Sequence, residues 1–192
     1  MILFVDHNDS FSNNLTSWFL AKNLPLKVIS YDNLSNNYQF SNEIAVVFSP
    51  GPGHPHDYPK STKLLQNLPP TTPFLGICLG HQLLIDFYGG KIEQIQKTPI
   101  HGRQIFCHQR RPSKYIKKDE LEGLFVLYNS LGCKINDPIF QQSMLALAVE
   151  ESVVLATEHT TYPRIGLQFH PESFASPGGN HILLSFLRLI KC

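Results

Sequence analysis

Short apolar runs alternate with amphipathic stretches through the first half of the chain. Ile2 to Val5, Ile44 to Phe48 and Phe74 to Ile77 are nearly unbroken apolar segments, with Leu26 to Ile29 a weaker one. Their length and content suit strands buried on both faces. Between them, Asn14 to Lys22 and Pro59 to Asn67 carry helical spacing, and Ser12 or Asn13 is placed to cap the first. Strand and helix in alternation predict an α/β fold with an open, mostly parallel central sheet flanked by helices.

The second half has a different rhythm. Gln104 to Cys107, Leu124 to Tyr128, Met144 to Val149, Val153 to Thr157 and Ile165 to Phe169 follow one another with little helix between. They predict extra antiparallel strands. An amphipathic stretch at about Asn180 to Ile190 ends the chain as a helix, and the polar segment Gln109 to Glu122 is expected as a surface loop. No repeat, low-complexity segment or long linker intervenes, so residues 1–192 are expected to form one domain.

Composition narrows the function classes. No apolar stretch approaches the ~20 residues of a membrane span. Met1 to Asp6 lacks the basic start of a secretory leader, so a cytoplasmic protein is expected. A net charge of +1 gives no reason to expect nucleic acid or an anionic membrane as partner. Arg110, Arg111, Lys114, Lys117 and Lys118 form a local basic run. Asp119, Glu120 and Glu122 follow at once, which favours a solvated loop over a nucleic-acid contact. Charged residues make up 16% of the chain, below the roughly 25% usual for soluble domains, which fits burial against another subunit and equally a compositional habit of the source organism. Cys78, Cys107, Cys133 and Cys192 show no C-x-x-C spacing and are expected as free thiols. His54-Pro55-His56-Asp57 lacks further ligands, so no metal is expected there.

One thiol stands apart. Cys78 lies in Gly76-Ile77-Cys78-Leu79-Gly80, between a strand candidate and a helical stretch from Gln82 to Tyr88. A free cysteine after an apolar strand is commonly core. Glycine two residues to either side, at a strand-to-helix turn, instead matches the thiol counterpart of a nucleophile elbow. Such a turn holds the nucleophile in a strained conformation whose neighbours cannot carry side chains. The helix that follows aims its N-terminus at the sulfur and favours thiolate. The Leu79 amide is placed to donate to an oxyanion.

A nucleophilic cysteine needs a base and a group that orients the base. His170 and Glu172, in Gln168-Phe169-His170-Pro171-Glu172-Ser173, follow a strand candidate. Two positions apart in extended chain face the same way, so Glu172 could reach the imidazole. Alone, His-x-Glu is more readily a surface or structural pair; with a cysteine elbow in the same chain, the catalytic reading is the favoured one. Ser49-Pro50-Gly51-Pro52-Gly53 ends another strand candidate at the sheet edge where ligands bind, although a merely rigid turn would look the same.

These three motifs, in this order, resemble the triad class (class I) of glutamine amidotransferases. Asp9-Ser10-Phe11 with Asn14-Leu15, His101-Gly102-Arg103 and Tyr128-Asn129-Ser130-Leu131 resemble one branch: anthranilate synthase component II and the glutaminase subunit of aminodeoxychorismate synthase. The resemblance implies that Cys78, His170 and Glu172 hydrolyse L-glutamine through a thioester. It implies oxyanion donors among the amides of Leu79 and the Gly51–Gly53 turn, with Pro52 in that turn placed against the substrate, and glutamine contacts from Gln82, Ser130 and Leu131. It further implies that ammonia passes to a chorismate-binding synthase subunit of the component I type, with no cofactor on this chain. Two positions depart from the branch, Leu127 where arginine is usual and Asn129 where histidine is usual; neither is a triad position. Anthranilate and aminodeoxychorismate synthesis are not separated by the motifs. A γ-glutamyl-peptidase-type hydrolase and a non-catalytic regulatory subunit are the rival readings. The Asn129-Ser130-Leu131 segment speaks against the first, and the intact Cys78, His170 and Glu172 against the second.

Overall fold

The computed structural model describes residues 1–95 and 102–191. The alternating half runs β1 (Ile2–Asp6), α1 (Ser12–Leu20), β2 (Leu26–Ser30), β3 (Ala45–Phe48), α2 (Pro59–Asn67), β4 (Phe74–Ile77) and α3 (Leu79–Phe87). It continues with β5 (Glu93–Gln94), β6 (Arg103–Cys107), α4 (Lys118–Leu121), β7 (Gly123–Leu127), β8 (Leu131–Gly132) and α5 (Ile139–Gln142). β9 (Met144–Glu150), β10 (Val153–His159), β11 (Arg164–Leu167) and α6 (Gly179–Lys191) complete the fold.

The main sheet has the order β2-β1-β3-β4-β11-β10-β9. β2, β1, β3, β4 and β11 are parallel; β10 runs antiparallel to β11, and β9 to β10. The pairs β5–β8 and β6–β7 are small antiparallel additions. Side-chain alternation explains why the strands are apolar throughout. Ile2, Phe4, Val47 and Ile77 face a layer that includes Leu15 and Phe19 of α1 and Leu183 and Phe186 of α6. Leu3, Val5, Val46 and Phe48 face Leu64 and Leu65 of α2 and Leu83 and Leu84 of α3. Each such side chain, fully buried, stabilises by roughly 1.5–3 kcal/mol relative to exposure.

Three expectations need correction. The run at Ile165–Phe169 was expected among the extra antiparallel strands, but β11 lies parallel to β4 and antiparallel only to β10. Apolar periodicity reports burial and not direction. Neither Ser12 nor Asn13 caps α1: the N-cap is Phe11, without a side-chain cap, and Ser12 Oγ donates instead to Asp6 Oδ1 at 2.6 Å. The segment 109–122 is not simply a solvated loop. Ile116 and Leu121 are buried in it, and residues 118–121 form α4. The carboxylate of Glu158, itself fully buried, accepts from Ser113 Oγ at 2.6 Å and from the Lys114 amide at 3.2 Å.

Parallel strands put their C-terminal ends on one edge of the sheet. The segments leaving β1, β3, β4 and β11 there carry His7, Ser49–Gly53, Cys78 and Gln168–Glu172. No helix among the described residues is long and apolar enough to cross a membrane.

Candidate active site

Cys78 joins β4 to α3 with φ 52° and ψ −102°, a left-handed conformation that L residues other than glycine seldom hold. The flanking glycines make it possible. A Cβ on Gly76 would sit 2.3 Å from the Gly80 carbonyl oxygen, and one on Gly80 would sit 2.5 Å from the Phe48 carbonyl oxygen. Both obstacles are backbone and cannot swing aside. The Cys78 amide donates to the Leu167 carbonyl of β11 at 2.7 Å, which fixes the turn against the neighbouring strand. The first-turn amides of α3, beginning at Leu79, have no acceptor within their own helix and concentrate positive potential beside the sulfur. At Cys107 and Cys133, burial, with minor help from nearby carboxylates, pushes each thiol up to about 12. Cys192 lies outside the described residues.

His170 and Glu172 meet at 2.7 Å, Nδ1 to Oε1, with side chains 2% and 0% exposed. The route differs from the expected extended chain. The segment turns, with the Ser173 amide donating to the His170 carbonyl at 3.3 Å, and the turn brings the carboxylate under the ring. The His170 amide is held by the Val126 carbonyl of β7 at 3.0 Å. Phe11 and Tyr128 pack edge-on against the imidazole, at 5.3 and 5.0 Å between centroids. Nε2 is buried and makes no hydrogen bond within ordinary distance. Burial by itself would lower the pKa of His170. The adjoining Cys78 sulfur and the Glu172 carboxylate outweigh it and hold the pKa well above the ordinary histidine value. A base aimed at a nucleophilic sulfur, with an anion on its far nitrogen, is the arrangement a thiol–imidazole pair requires.

The turn after β3 is rigid for reasons outside itself. Ser49 Oγ accepts from the His7 amide at 2.8 Å and donates to the Pro50 carbonyl at 2.6 Å. The His7 ring lies 2.9 Å from Ser61 Oγ of α2, and burial lowers its pKa to about 3, so it stays neutral. A Cβ on Gly51 would strike Leu79 Cδ2 at 2.5 Å and His7 Cβ at 2.7 Å. Gly53 has φ 77°, and the Pro52 carbonyl accepts from Tyr58 Oη at 2.8 Å.

A cavity of about 160 Å³ opens at Cys78, between Gly51, Pro52 and Gly53 on one side and Tyr128, Asn129, Ser130 and Leu131 on another, with Gln82 also lining it. That is the room of roughly five water molecules, which suits a small polar substrate. Roomier cavities of about 320 and 480 Å³ run along the 109–118 segment. They share no residue with the first and neither is lined by a cysteine or a histidine, so the thiol–imidazole pair and not the volume identifies the candidate site. Gln82 Nε2 donates to the Leu131 carbonyl at 2.9 Å, and Asn129 Nδ2 donates to the same oxygen at 2.8 Å. Asn129 thus braces the cavity wall, whereas Leu127 is a buried β7 residue in the core.

Every residue singled out in the sequence as catalytic or substrate-binding lies at this edge. His101 of the His-Gly-Arg segment is outside the described residues, and Arg103 pairs with Glu150 at 3.3 Å on the surface. His54 and Asp57 cap a turn through reciprocal backbone bonds, and His56 faces Asp86 at 3.1 Å. Among the described residues, no group of three or more His, Cys, Asp or Glu is placed to hold a metal ion. Sequence reasoning missed His7 and Gln168, which support the loop and the sulfur from behind. A single polar residue beside an apolar strand carries no local signal of what it will touch.

Known proteins bear on this geometry. The family described as glutamine amidotransferase class-I matches residues 3–190. Anthranilate synthase component 2 of Cyanidium caldarium is 32% identical over 204 residues, covering 98% of this chain and 98% of that one. Anthranilate synthase component 2 of Lactococcus lactis is 29% identical over 191 residues, covering 100% and 96%. The crystal structure of a glutamine amidotransferase from Thermotoga maritima superimposes with a TM-score of 0.79 at 16% identity, covering 100% of this chain and 98% of the other. That last likeness speaks for the fold alone.

Proposed function

The chain belongs to the class-I glutamine amidotransferases, of the anthranilate synthase component II type, and on that footing we propose that Cys78, His170 and Glu172 hydrolyse L-glutamine and supply ammonia to a chorismate-using synthase. The observation that carries this reading is the joint geometry at the sheet edge. A strained Cys78 sits at the head of α3 beside an imidazole whose Nε2 is buried and whose other nitrogen is held by Glu172 at 2.7 Å.

The steps follow from these groups. Cys78 gives its proton to His170 Nε2, and the sulfur attacks the side-chain carbonyl carbon of glutamine. The oxyanion that forms is met by backbone amides, for which Leu79 and the Gly51–Gly53 turn are the candidates. His170 returns the proton to the departing nitrogen, the carbon–nitrogen bond breaks, and ammonia leaves a γ-glutamyl thioester on Cys78. Water then attacks the thioester with His170 as base, and glutamate departs as the thiol re-forms. Glu172 keeps the imidazole in the tautomer that presents Nε2 to sulfur and stabilises the imidazolium. Gln82, Ser130 and Leu131 line the cavity beside the sulfur and are assigned to holding the glutamine.

The acceptor enzyme is assigned as a component I type synthase, in the cytoplasm, where a reducing setting keeps Cys78 a thiol. The relatives above are named as anthranilate synthase components, which favours anthranilate over 4-amino-4-deoxychorismate as the product. Covalent labelling by a glutamine-analogue diazoketone tests the site. Stoichiometric label on Cys78, blocked by glutamine, is expected. An unlabelled Cys78, with and without a synthase subunit, would remove the proposal.

A further inference from the structure

Gln168 leaves β11 fully buried, its amide donating to the Leu155 carbonyl at 2.8 Å. Leu167 pairs with Ile77 in the parallel register, so the next rung sets Gln168 beside Cys78. The orientation of its side chain is dictated by a backbone carbonyl two residues away in a hydrogen-bonded chain. The Leu131 carbonyl can only accept, so it takes Nε2 of Gln82, at 2.9 Å. The same Nε2 lies 3.3 Å from Gln168, which must therefore present Oε1. That turns Gln168 Nε2, a donor, onto the Cys78 sulfur at 3.7 Å. His81 closes the back of the amide. Both its ring nitrogens are buried without a hydrogen bond of ordinary length, and burial pushes it down to about 3, opposed by the Gln168 side chain.

We infer that Gln168 stabilises the Cys78 thiolate through a direct N–H···S contact and ties the sulfur, by way of Gln82 and the Leu131 carbonyl, to the wall of the substrate cavity. A donor bonded to the charged form of an acid favours that form. The inference deepens the glutaminase reading and rests on it for the meaning of the contact in turnover. The wall residues then bear on the nucleophile as well as on the substrate, because a shift at Leu131 moves Gln82, and with it the donor on sulfur.

The test is the pH dependence of Cys78 alkylation by iodoacetamide, followed on the Cys78 peptide by mass spectrometry. The full chain is compared with Gln168→Met, which keeps volume and removes the donor, and with Gln168→Glu. The titratable groups around the sulfur, His170 backed by Glu172, Tyr128 beside that ring and His81 behind, are unchanged in both variants. In Gln168→Met the alkylation rate near neutral pH should fall about tenfold and its midpoint move up by about one pH unit. With glutamine, kcat should fall by about the same factor while KM stays within about twofold. Gln168→Glu should lose at least as much. Alkylation needs no glutamine turnover, so the two readings separate. A shifted profile supports the Gln168 assignment even where glutaminase activity is absent, and superimposed profiles overturn it even where activity is present. Should the variants not fold, the wild-type chain decides. The Gln168 side-chain amide resonance should move with thiol ionisation and cease to do so in Cys78→Ser; an amide that ignores the thiol overturns the assignment.

Discussion

Lowering the pH from about 7.5 to about 5 should cost the fold about 4 kcal/mol through two imidazoles, His7 and His81. Both are fully buried, and burial depresses each to about 3. In the unfolded chain each titrates near the ordinary histidine value of about 6.5. Between those values the unfolded state binds protons at these two sites that the folded state refuses, and His159, lowered to about 4 chiefly by burial, adds in the same sense, so stability rises with pH across that window. At about pH 5 His7 and His81 each contribute about 2 kcal/mol less than at about pH 7.5, and the two act on opposite supports of the site. His170 has the opposite sign. Its folded pKa is raised, so its contribution is complete below about 6.5 and is lost as pH climbs through the raised value. Stability should therefore peak near pH 6.5 and decline on both sides. Stopping at about pH 5 keeps the experiment above the window of carboxylates held low, such as Glu120. Urea unfolding at several pH values reads the effect as a shift in midpoint at constant slope. A midpoint that stays flat from about pH 7.5 to about pH 5 would show that these imidazoles take up protons without opening the core, and the reasoning fails.

Other expectations concern the site. In Gly80→Ala the new Cβ falls 2.5 Å from the Phe48 carbonyl oxygen, so the turn must shift; glutamate release should fall at least about 100-fold, and wild-type kcat would count against the elbow geometry. Glu172→Gln removes the anion 2.7 Å from His170 and should lower kcat by about 10²–10⁴-fold, while calorimetry should show a less stable fold; an unchanged kcat would take Glu172 out of the site. Of the three described thiols, Cys78 should alkylate first near neutral pH, with Cys107 and Cys133, both pushed up to about 12, protected until unfolding; peptide mapping reads the order.

The parts legible in the sequence were those with a local cause. β4 and α2 fall where apolar and helical spacing put them, because both are set by a few adjacent residues. The elbow was legible since its two glycines answer a steric demand within the same five residues. Direction was not: β11 looks like its antiparallel neighbours, and only the distant β4 makes it parallel. The 109–122 segment carries enough charge to resemble a solvated loop, yet Ile116 and Leu121 anchor it to a core built from other segments. His170 and Glu172 were paired on the right residues by the wrong route, because a turn and an extended chain can deliver the same contact. His7 and Gln168 act across the sheet through Ser49, Ser61, Gln82 and Cys78, and partners so far apart in sequence leave no local trace.

The most direct measurement is glutamate release from glutamine in the presence of chorismate, for the wild-type chain and Cys78→Ser, each alone and with candidate chorismate-binding subunits. Release that requires Cys78 and rises with one subunit is predicted, and the aminated product made by that pair identifies the acceptor reaction. Absence of any Cys78-dependent release with every subunit would contradict the proposed glutaminase.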